Sequence, residues 1–582
     1  MDPSFPKSGA QILLESIASI GKIEYLFMNT GTDYAPVIEA IAKMRKRNLP
    51  LPKTIVVPHE AAALAMAHGF YLESGAPQIA MVHTIPGTMN ASGALFNAAS
   101  VMVPVILIAG RSPIREEGGI LGSKSRPIHW IQELRDQGAI VRQFTKLDWE
   151  NRSCEQIPLV LERAYEIAIS EPRGPVYLSY PREIWSETVE KKFDHIKIDP
   201  RPSTAVEPGE ETIEEIASVL AGAHNPLIIT EYAGRDRAAV PALVELSEAL
   251  SIPVVQGFFY LNFPTTHPLY AGRIHSKYAA NQVREADAIF LIDVGLPWIP
   301  KFVRPRDDAR IIQLGADPMV GNTPIWGFRV DLAAQGNSSL TLPLVTQAVK
   351  RVVAEGGSLM NSVIQDRYER AREAHDKMVE ELRGEALSCK SSKPIDPRWL
   401  SHCIGKAMTV ENCVVFCETV TSPFVEHVEL SIPGSVFESP SFGHLGWALG
   451  AAVGARLANP SRVAFALCGD GAYIFSEPIA CHYVSAANDA PIVAIIYNNQ
   501  SWNASKNPVK ELYPDGAAVE MNDFTGTQLL PSPDFGLVAR SCGAHAETVE
   551  DPGEIPGALD RAIQSVTKKK TQSLLNVILK VP

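Results

Sequence analysis

Cysteine is sparse in this sequence and unpaired in its spacing. The eight residues, at 154, 389, 403, 413, 417, 468, 481 and 542, form no CxxC pair and no paired zinc-type spacing. Buried thiols in a reducing compartment are expected, not a disulfide framework. No apolar run approaches the roughly 20 residues that a membrane-spanning helix needs. Basic charge is in deficit, with 53 Lys and Arg against 65 Asp and Glu and a formal net charge of −12. That balance gives no support for the positive face which nucleic acid or an anionic membrane surface would select. The opening MDPSFPKSGAQILLES lacks both a basic segment followed by an apolar core and an Arg-rich amphipathic character. The closing KVP is not an SKL-type address, so the cytoplasm is the expected location. No GxGxxG follows an apolar strand, which leaves a nicotinamide-binding reading with little support.

What is present is a long globular chain, 46% hydrophobic and 20% charged. A chain of 582 residues is too long for one core, and three domains are expected. Short apolar strands alternate with helical stretches of ten or more residues, a pattern of doubly wound parallel sheets. The first run has strands at 24–28, 54–57, 78–83 and 103–109, and GPVYLSYP (174–181) reads as its last strand. A second run has strands at 227–230, 252–255, 288–294 and 310–314, and a third at 413–417, 463–467, 491–497 and 574–581. The expected domains are residues 1–190, 205–350 and 395–582. Connections lie at 191–204 and 351–394, the second containing the charged helical stretch DRYERAREAHDKMVEELRGEAL.

One stretch organises the third run. CGDGAYIFSEPIACHYVSAANDAPIVAIIYNNQSW begins at Cys468, where an apolar strand should end. Glycines 469 and 471 let backbone N–H groups approach an anion closely, and Asp470 between them suits a divalent cation beside it. The next apolar strand delivers Asn498 and Asn499 to the same sheet edge, where doubly wound folds bind ligands. GDG, then 26 residues (472–497), then NN resembles the signature of the thiamin diphosphate (ThDP) enzymes, which hold the cofactor's diphosphate through Mg²⁺. The order of three α/β domains is similar to that of the decarboxylase and acetohydroxyacid synthase branch, with pyrimidine-binding, central and diphosphate-binding domains, over nearly the whole chain.

The resemblance implies a set of site residues. Asp470, Asn499 and the backbone carbonyl of Ser501 would ligate Mg²⁺, with Gly469, Gly471, Ala472 and Trp502 beside the cofactor. Glu418, Thr419 and Thr421 follow a strand end and would help hold the diphosphate. In SPSFGHLGWALGAAVG (439–454) Leu445 falls at the wedge that bends the cofactor, and Gly443 would offer its carbonyl to the aminopyrimidine. His444 stands where many relatives have glycine. Glu60, in HEAAALAMAHGF, matches the glutamate that hydrogen-bonds the pyrimidine ring and promotes removal of the C2 proton. His83, in VHTIPGTMNASGALFNA, matches a histidine of benzoylformate decarboxylase that takes part in acid–base steps, and its near-neutral titration suits a proton donor. Thr32, Asp33, Trp502 and Ser505 are expected to face the substrate along with His83.

The resemblance implies a 2-oxo acid enzyme: loss of CO₂ would leave an enamine that is protonated to an aldehyde or ligated to a second carbonyl. Longer segments such as GTDYAPVIEA, GRSPIREEGG and IHWIQELRDQG resemble acetolactate synthase-like proteins, which favours ligation, whereas His83 favours protonation. Alternatives are a 2-hydroxyacyl-CoA lyase or oxalyl-CoA decarboxylase-like enzyme and a non-catalytic ThDP-binding subunit. Acetohydroxyacid synthases also hold FAD in the central domain. Here the loop TEYAGR (230–235) lacks a glycine cluster, so FAD is possible but not predicted. The family builds its site between subunits, which implies a homodimer or homotetramer.

Overall fold

A computed structural model describes residues 6–189, 198–408, 412–419, 424–440 and 443–580. Three six-stranded sheets are present, every strand pair within them parallel, each flanked by helices. A small antiparallel pair, Lys7–Ser8 with Thr188–Val189, ties the start of the first α/β unit to its end. The three-layer α/β architecture expected from strand–helix alternation is therefore what the chain adopts.

The first sheet runs, edge to edge, Lys53–Val56, Tyr25–Met28, Ile79–Val82, Ile106–Arg111, Val176–Pro181, Leu147–Glu150. In chain order that is 2-1-3-4-6-5. The third sheet has the same order: Val436–Glu438, Cys413–Glu418, Val463–Gly469, Val493–Asn498, Ser573–Ile578, His545–Val549. The middle sheet is wound differently, as 3-2-1-4-5-6, with Pro226–Thr230 and Ala288–Ile292 at its centre. A strand order that reverses leaves a crevice beyond the carboxyl ends of the two strands at the reversal. In the outer sheets that crevice lies between strands 1 and 3, after Met28 and Val82 in the first and after Glu418 and Gly469 in the third.

Central strands are predominantly apolar, as burial on both faces requires. The charged connection belongs to a helix, Ser338–Ser388, interrupted at Gly357, whose φ of 61° lies outside the helical region. The first and third units pack on each other directly. Helix Glu60–Ser74 follows strand 2 of the first sheet, and helix Ala448–Ala458 follows strand 2 of the third. A Cβ on Gly69 would strike the Ala451 carbonyl, and one on Gly454 would strike that of Met66. Glycine is required at both positions because the helix backbones touch there. One buried apolar cluster continues across this contact and takes in Phe259 and Tyr260 of the middle unit.

Candidate active site

Glu60 opens its helix and is buried. Its carboxylate faces the next helix, Thr84–Ser100. Asn90 Nδ2 donates to Oε2 at 3.2 Å, and a Cβ on Gly87, one turn earlier, would lie 3.3 Å from Oε1. Gly87 thus keeps a path to that oxygen open.

His83 ends strand 3 of the first sheet. Its Nδ1 lies 2.5 Å from Asp33 Oδ1 and its Nε2 lies 3.0 Å from Gln132 Oε1. Burial pulls the His83 pKa down, but hydrogen bonding and charge from Asp33, aided by Gln132 and Glu60, leave it raised. Asp33 is only 2% exposed. Expected to face substrate, this carboxylate instead lies against the imidazole. Thr32 beside it is half-buried, its hydroxyl enclosed.

In the third unit Asp470 is buried, and its Oδ1 accepts from the Gly471 N–H at 2.8 Å. Burial raises the Asp470 pKa against backbone N–H groups of Gly471, Gln500 and Ser501 that favour the ionised form. Among the described residues Oδ2 is enclosed and has no hydrogen-bond partner. Asn499 Oδ1 accepts from the Ser501 N–H at 3.0 Å, and the Gln500 and Ser501 N–H groups bring this turn against Asp470. Gly469 has open space where a side chain would stand, its nearest neighbour being the Glu418 carbonyl at 3.8 Å. A Cβ on Gly471 would collide with the Trp502 indole, which also meets Phe475 edge-on at 5.8 Å. Ala472 is buried behind this turn, while Ser505 is exposed on helix Asn503–Leu512.

An enclosed carboxylate oxygen with no partner, an adjacent amide oxygen and glycines that leave room fit a hard cation bridging to phosphate oxygens. Among the described residues no group of three or more His, Cys, Asp or Glu could hold a metal. The donor set implied by the sequence needs only one carboxylate.

The loop before helix Ala448–Ala458 carries Gly443, Leu445 and Gly446. Leu445 is half-exposed. Gly443 packs on Asn97, which donates to the His444 carbonyl at 2.7 Å and accepts from its N–H at 2.6 Å. Gly446 has a φ of +93°. Glu418 does not reach toward a diphosphate: its carboxylate accepts from Gly446 and Ala448 N–H at 2.9 and 3.0 Å. Burial pushes its pKa up to about 7, against those N–H groups. Thr419 contacts Cys417 Sγ at 3.2 Å, and Thr421 lies outside the described residues. Asn90, Gln132 and Asn97 were not singled out from the sequence, although Asn90 shares a helix face with Gly87 and Gln132 lies in the IHWIQELRDQG segment.

The fold is a three-unit α/β architecture that brings titratable side chains to the edge of one sheet and a Gly-Asp-Gly turn to the edge of another. The chain matches the thiamine pyrophosphate enzyme N-terminal TPP binding domain over residues 7–140, the central domain over 213–343 and the C-terminal TPP binding domain over 420–577. It belongs to the ThDP enzymes, in the branch of 2-oxo acid decarboxylases and carboligases. Benzoylformate decarboxylase of Pseudomonas aeruginosa is 27% identical over 550 residues, covering 92% of this chain and 93% of the relative. Sulfoacetaldehyde acetyltransferase of Castellaniella defragrans is 26% identical over 560 residues, covering 90% and 86%. Among solved structures, 4-hydroxybenzoylformate decarboxylase of Rhodococcus jostii matches with a TM-score of 0.78 at 21% identity, over 99% of this chain and 100% of that one. Among the described residues no helix is long and apolar enough to cross a membrane.

Proposed function

We propose that this chain decarboxylates a small 2-oxo acid with Mg²⁺ and ThDP and releases the product as an aldehyde. The observation that carries the reading is the pairing of His83 with Asp33 on the same sheet edge as Glu60. Bound ThDP would supply a carbon nucleophile and an electron sink for the departing CO₂. Asp470, the Asn499 side chain and the Ser501 carbonyl would hold Mg²⁺ and through it the diphosphate, with Gly469, Gly471 and Ala472 leaving room for the phosphates. Leu445 would press between the cofactor rings, and Trp502 would wall the site. Glu60, through the oxygen beside Gly87, would share a proton with a ring nitrogen of the cofactor. His83 Nε2–H would then deliver a proton to the carbon left after CO₂ departs. Thr32 and Ser505 would border the substrate.

The same reading makes the partner a second copy of this chain. Helix Thr84–Ser100 exposes Met89 and Phe96, and the two short helices after Gly469 expose Ile474, Phe475, Ile479 and Tyr483. These helices hold equivalent places, each following strand 3 of an outer sheet, and apolar stripes of this kind mark association surfaces. Joining them between two copies would bring Glu60 of one toward Asp470 of the other. No flavin is proposed. At the reversal of the middle sheet the Glu231 carboxylate accepts the N–H groups of Gly295 and Leu296 at 2.9 and 3.2 Å, donors that a nucleotide phosphate would need.

Carboligation is the second reading, favoured by relatives such as acetolactate synthase isozyme 1 of Escherichia coli, 25% identical over 521 residues. The test is to load the protein with Mg²⁺ and ThDP and follow CO₂ and carbon products from a panel of 2-oxo acids that includes pyruvate and benzoylformate. Aldehyde as the main product is expected. A 2-hydroxyketone would establish the second reading, and no CO₂ from any acid would overturn both.

A further inference from the structure

We infer that Asp33 and Gln132 are positioning residues that hold His83 as a doubly protonated imidazolium, and that this charge state commits the reaction to protonation over ligation. The second clause rests on the proposed function; the first stands on geometry alone. A neutral imidazole carries one N–H and one lone pair, so it matches one acceptor and one donor. Here both ring nitrogens face oxygens. Asp33 Oδ1 is 2.5 Å from Nδ1, and Gln132 Oε1, which also accepts the Thr84 hydroxyl at 3.2 Å, is 3.0 Å from Nε2. With Asp33 ionised and the Gln132 amide presenting its oxygen, only the cation supplies a proton to each.

The surroundings of Asp33 agree. Among the described residues its second oxygen is enclosed without a hydrogen-bond partner, an arrangement that calls for a cation close by. Arg182, whose charge is felt at that end of the sheet, spends its guanidinium on the Gly122, Ser123 and Thr32 carbonyls and the Ser125 hydroxyl. His83 is left as the ion-pair partner. Gly31 and Gly110 make room for the pair: a Cβ on the first would strike the His83 ring, and one on the second would strike Asp33 Oδ2. The charged groups acting on His83 are Asp33 and Glu60, both favouring the cation, with burial opposing them. Around Asp33 stand Tyr34, His129 and Arg182.

Ligation requires the product carbon to keep its electron pair until a second carbonyl arrives. A charged acid in the site ends that wait. The Nε2–H bond breaks, a C–H bond forms with the carbon's electron pair, and the neutral ring regains its proton from solvent. With the His83 pKa raised, the donor stays charged above the ordinary imidazole range of about 6.5. Aldehyde formation is thus full at low pH and falls as pH rises through the folded-state value.

The test is ¹⁵N NMR of the histidine ring in the Mg²⁺–ThDP holoenzyme, assigned with His83→Gln and titrated over about pH 5 to 9, alongside the aldehyde-to-hydroxyketone ratio from one 2-oxo acid. At pH 7 both ring nitrogens of His83 should carry protons. Asp33→Asn should move the titration to lower pH and shift the product ratio roughly tenfold toward hydroxyketone, and Asp33→Glu should recover part of both. Gln132→Met should produce a smaller shift in the same direction without touching the carboxylate. A ring found neutral at pH 7, with the Gln132 amide turned to donate, would overturn the inference. So would an unchanged titration in both Asp33→Asn and Gln132→Met. A titration as expected in a chain that releases no CO₂ from any 2-oxo acid would support the charge assignment and overturn the proposed function.

Discussion

The first and third sheets share one strand order and one crevice, yet they place opposite chemistry in it. Beyond strands 1 and 3 of the first sheet stand titratable groups: Asp33 against His83, with Glu60 nearby at the start of the helix after strand 2. Beyond the same strands of the third sheet stand Asp470, backbone amides and Glu418, whose carboxylate is held by the Gly446 and Ala448 N–H groups. The fold fixes where a ligand can lie, and the residues at two turns decide whether it meets titratable side chains or backbone amides there. The helices repeat the contrast. Those after strand 2 are buried against each other within the chain, at Gly69 and Gly454, while those after strand 3 keep their apolar residues exposed.

The largest expected effect separates the two crevices. Glu60→Gln should lower kcat by about 10²- to 10⁴-fold, the usual worth of a positioned acid–base group, while ThDP stays bound. Asp470→Ala should instead release the cofactor, with partial recovery in excess Mg²⁺. ThDP content after gel filtration, read beside turnover, checks both. Equal cofactor loss in the two variants would erase the distinction. Next in size, Met89→Glu and Ile479→Glu should each convert the assembly to smaller species at micromolar concentration, since each exposed apolar residue forfeits burial worth ~1.5–3 kcal/mol and adds a charge. Sedimentation velocity decides, and a change in one variant alone would break the equivalence of the strand-3 helices. Smaller still, Gly69→Ala and Gly454→Ala should each cost about 1–3 kcal/mol by overpacking. Thermal unfolding should show similar losses for the two. Gly384→Ala, on the long helix with nothing within 4 Å of the added carbon, should be slightly stabilising, by ~0.4–1 kcal/mol.

Much of this was legible in the sequence, and the gaps share a cause. Central strands such as Val463–Gly469 and Val493–Asn498 announce themselves because burial on both faces demands an unbroken apolar run. Within the six-stranded sheets the strands that pattern alone did not reveal are Leu147–Glu150, Tyr270–Arg273, Leu332–Gln335, Val436–Glu438 and His545–Val549, and each is a sheet edge. An edge strand such as Leu-Asp-Trp-Glu is short and nowhere buried, so its pattern is that of a loop. In the site, Gly469-Asp470-Gly471 and Asn498-Asn499 were legible because each sits at a strand end with a fixed spacing. Asp33 was visible as a loop residue, but its burial under His83 depends on Gly110, 77 positions on. Gln132 reaches His83 from a loop with no periodic pattern. Glu418 reads as a strand-end acid beside the cofactor, yet the N–H groups that claim its oxygens come from a turn nearly thirty residues later.

The most direct test of the view that two equivalent crevices, on two copies of the chain, complete one site is complementation. Glu60→Gln and Asp470→Ala chains, each inactive alone, are mixed in equal amounts under conditions that exchange subunits, and CO₂ release is measured. In a symmetric dimer with sites between copies, half the population is mixed and one of its two sites is intact, so about a quarter of wild-type activity should return. Exchange without any return of activity would place Glu60 and Asp470 of the same chain in one site and contradict the shared-site account.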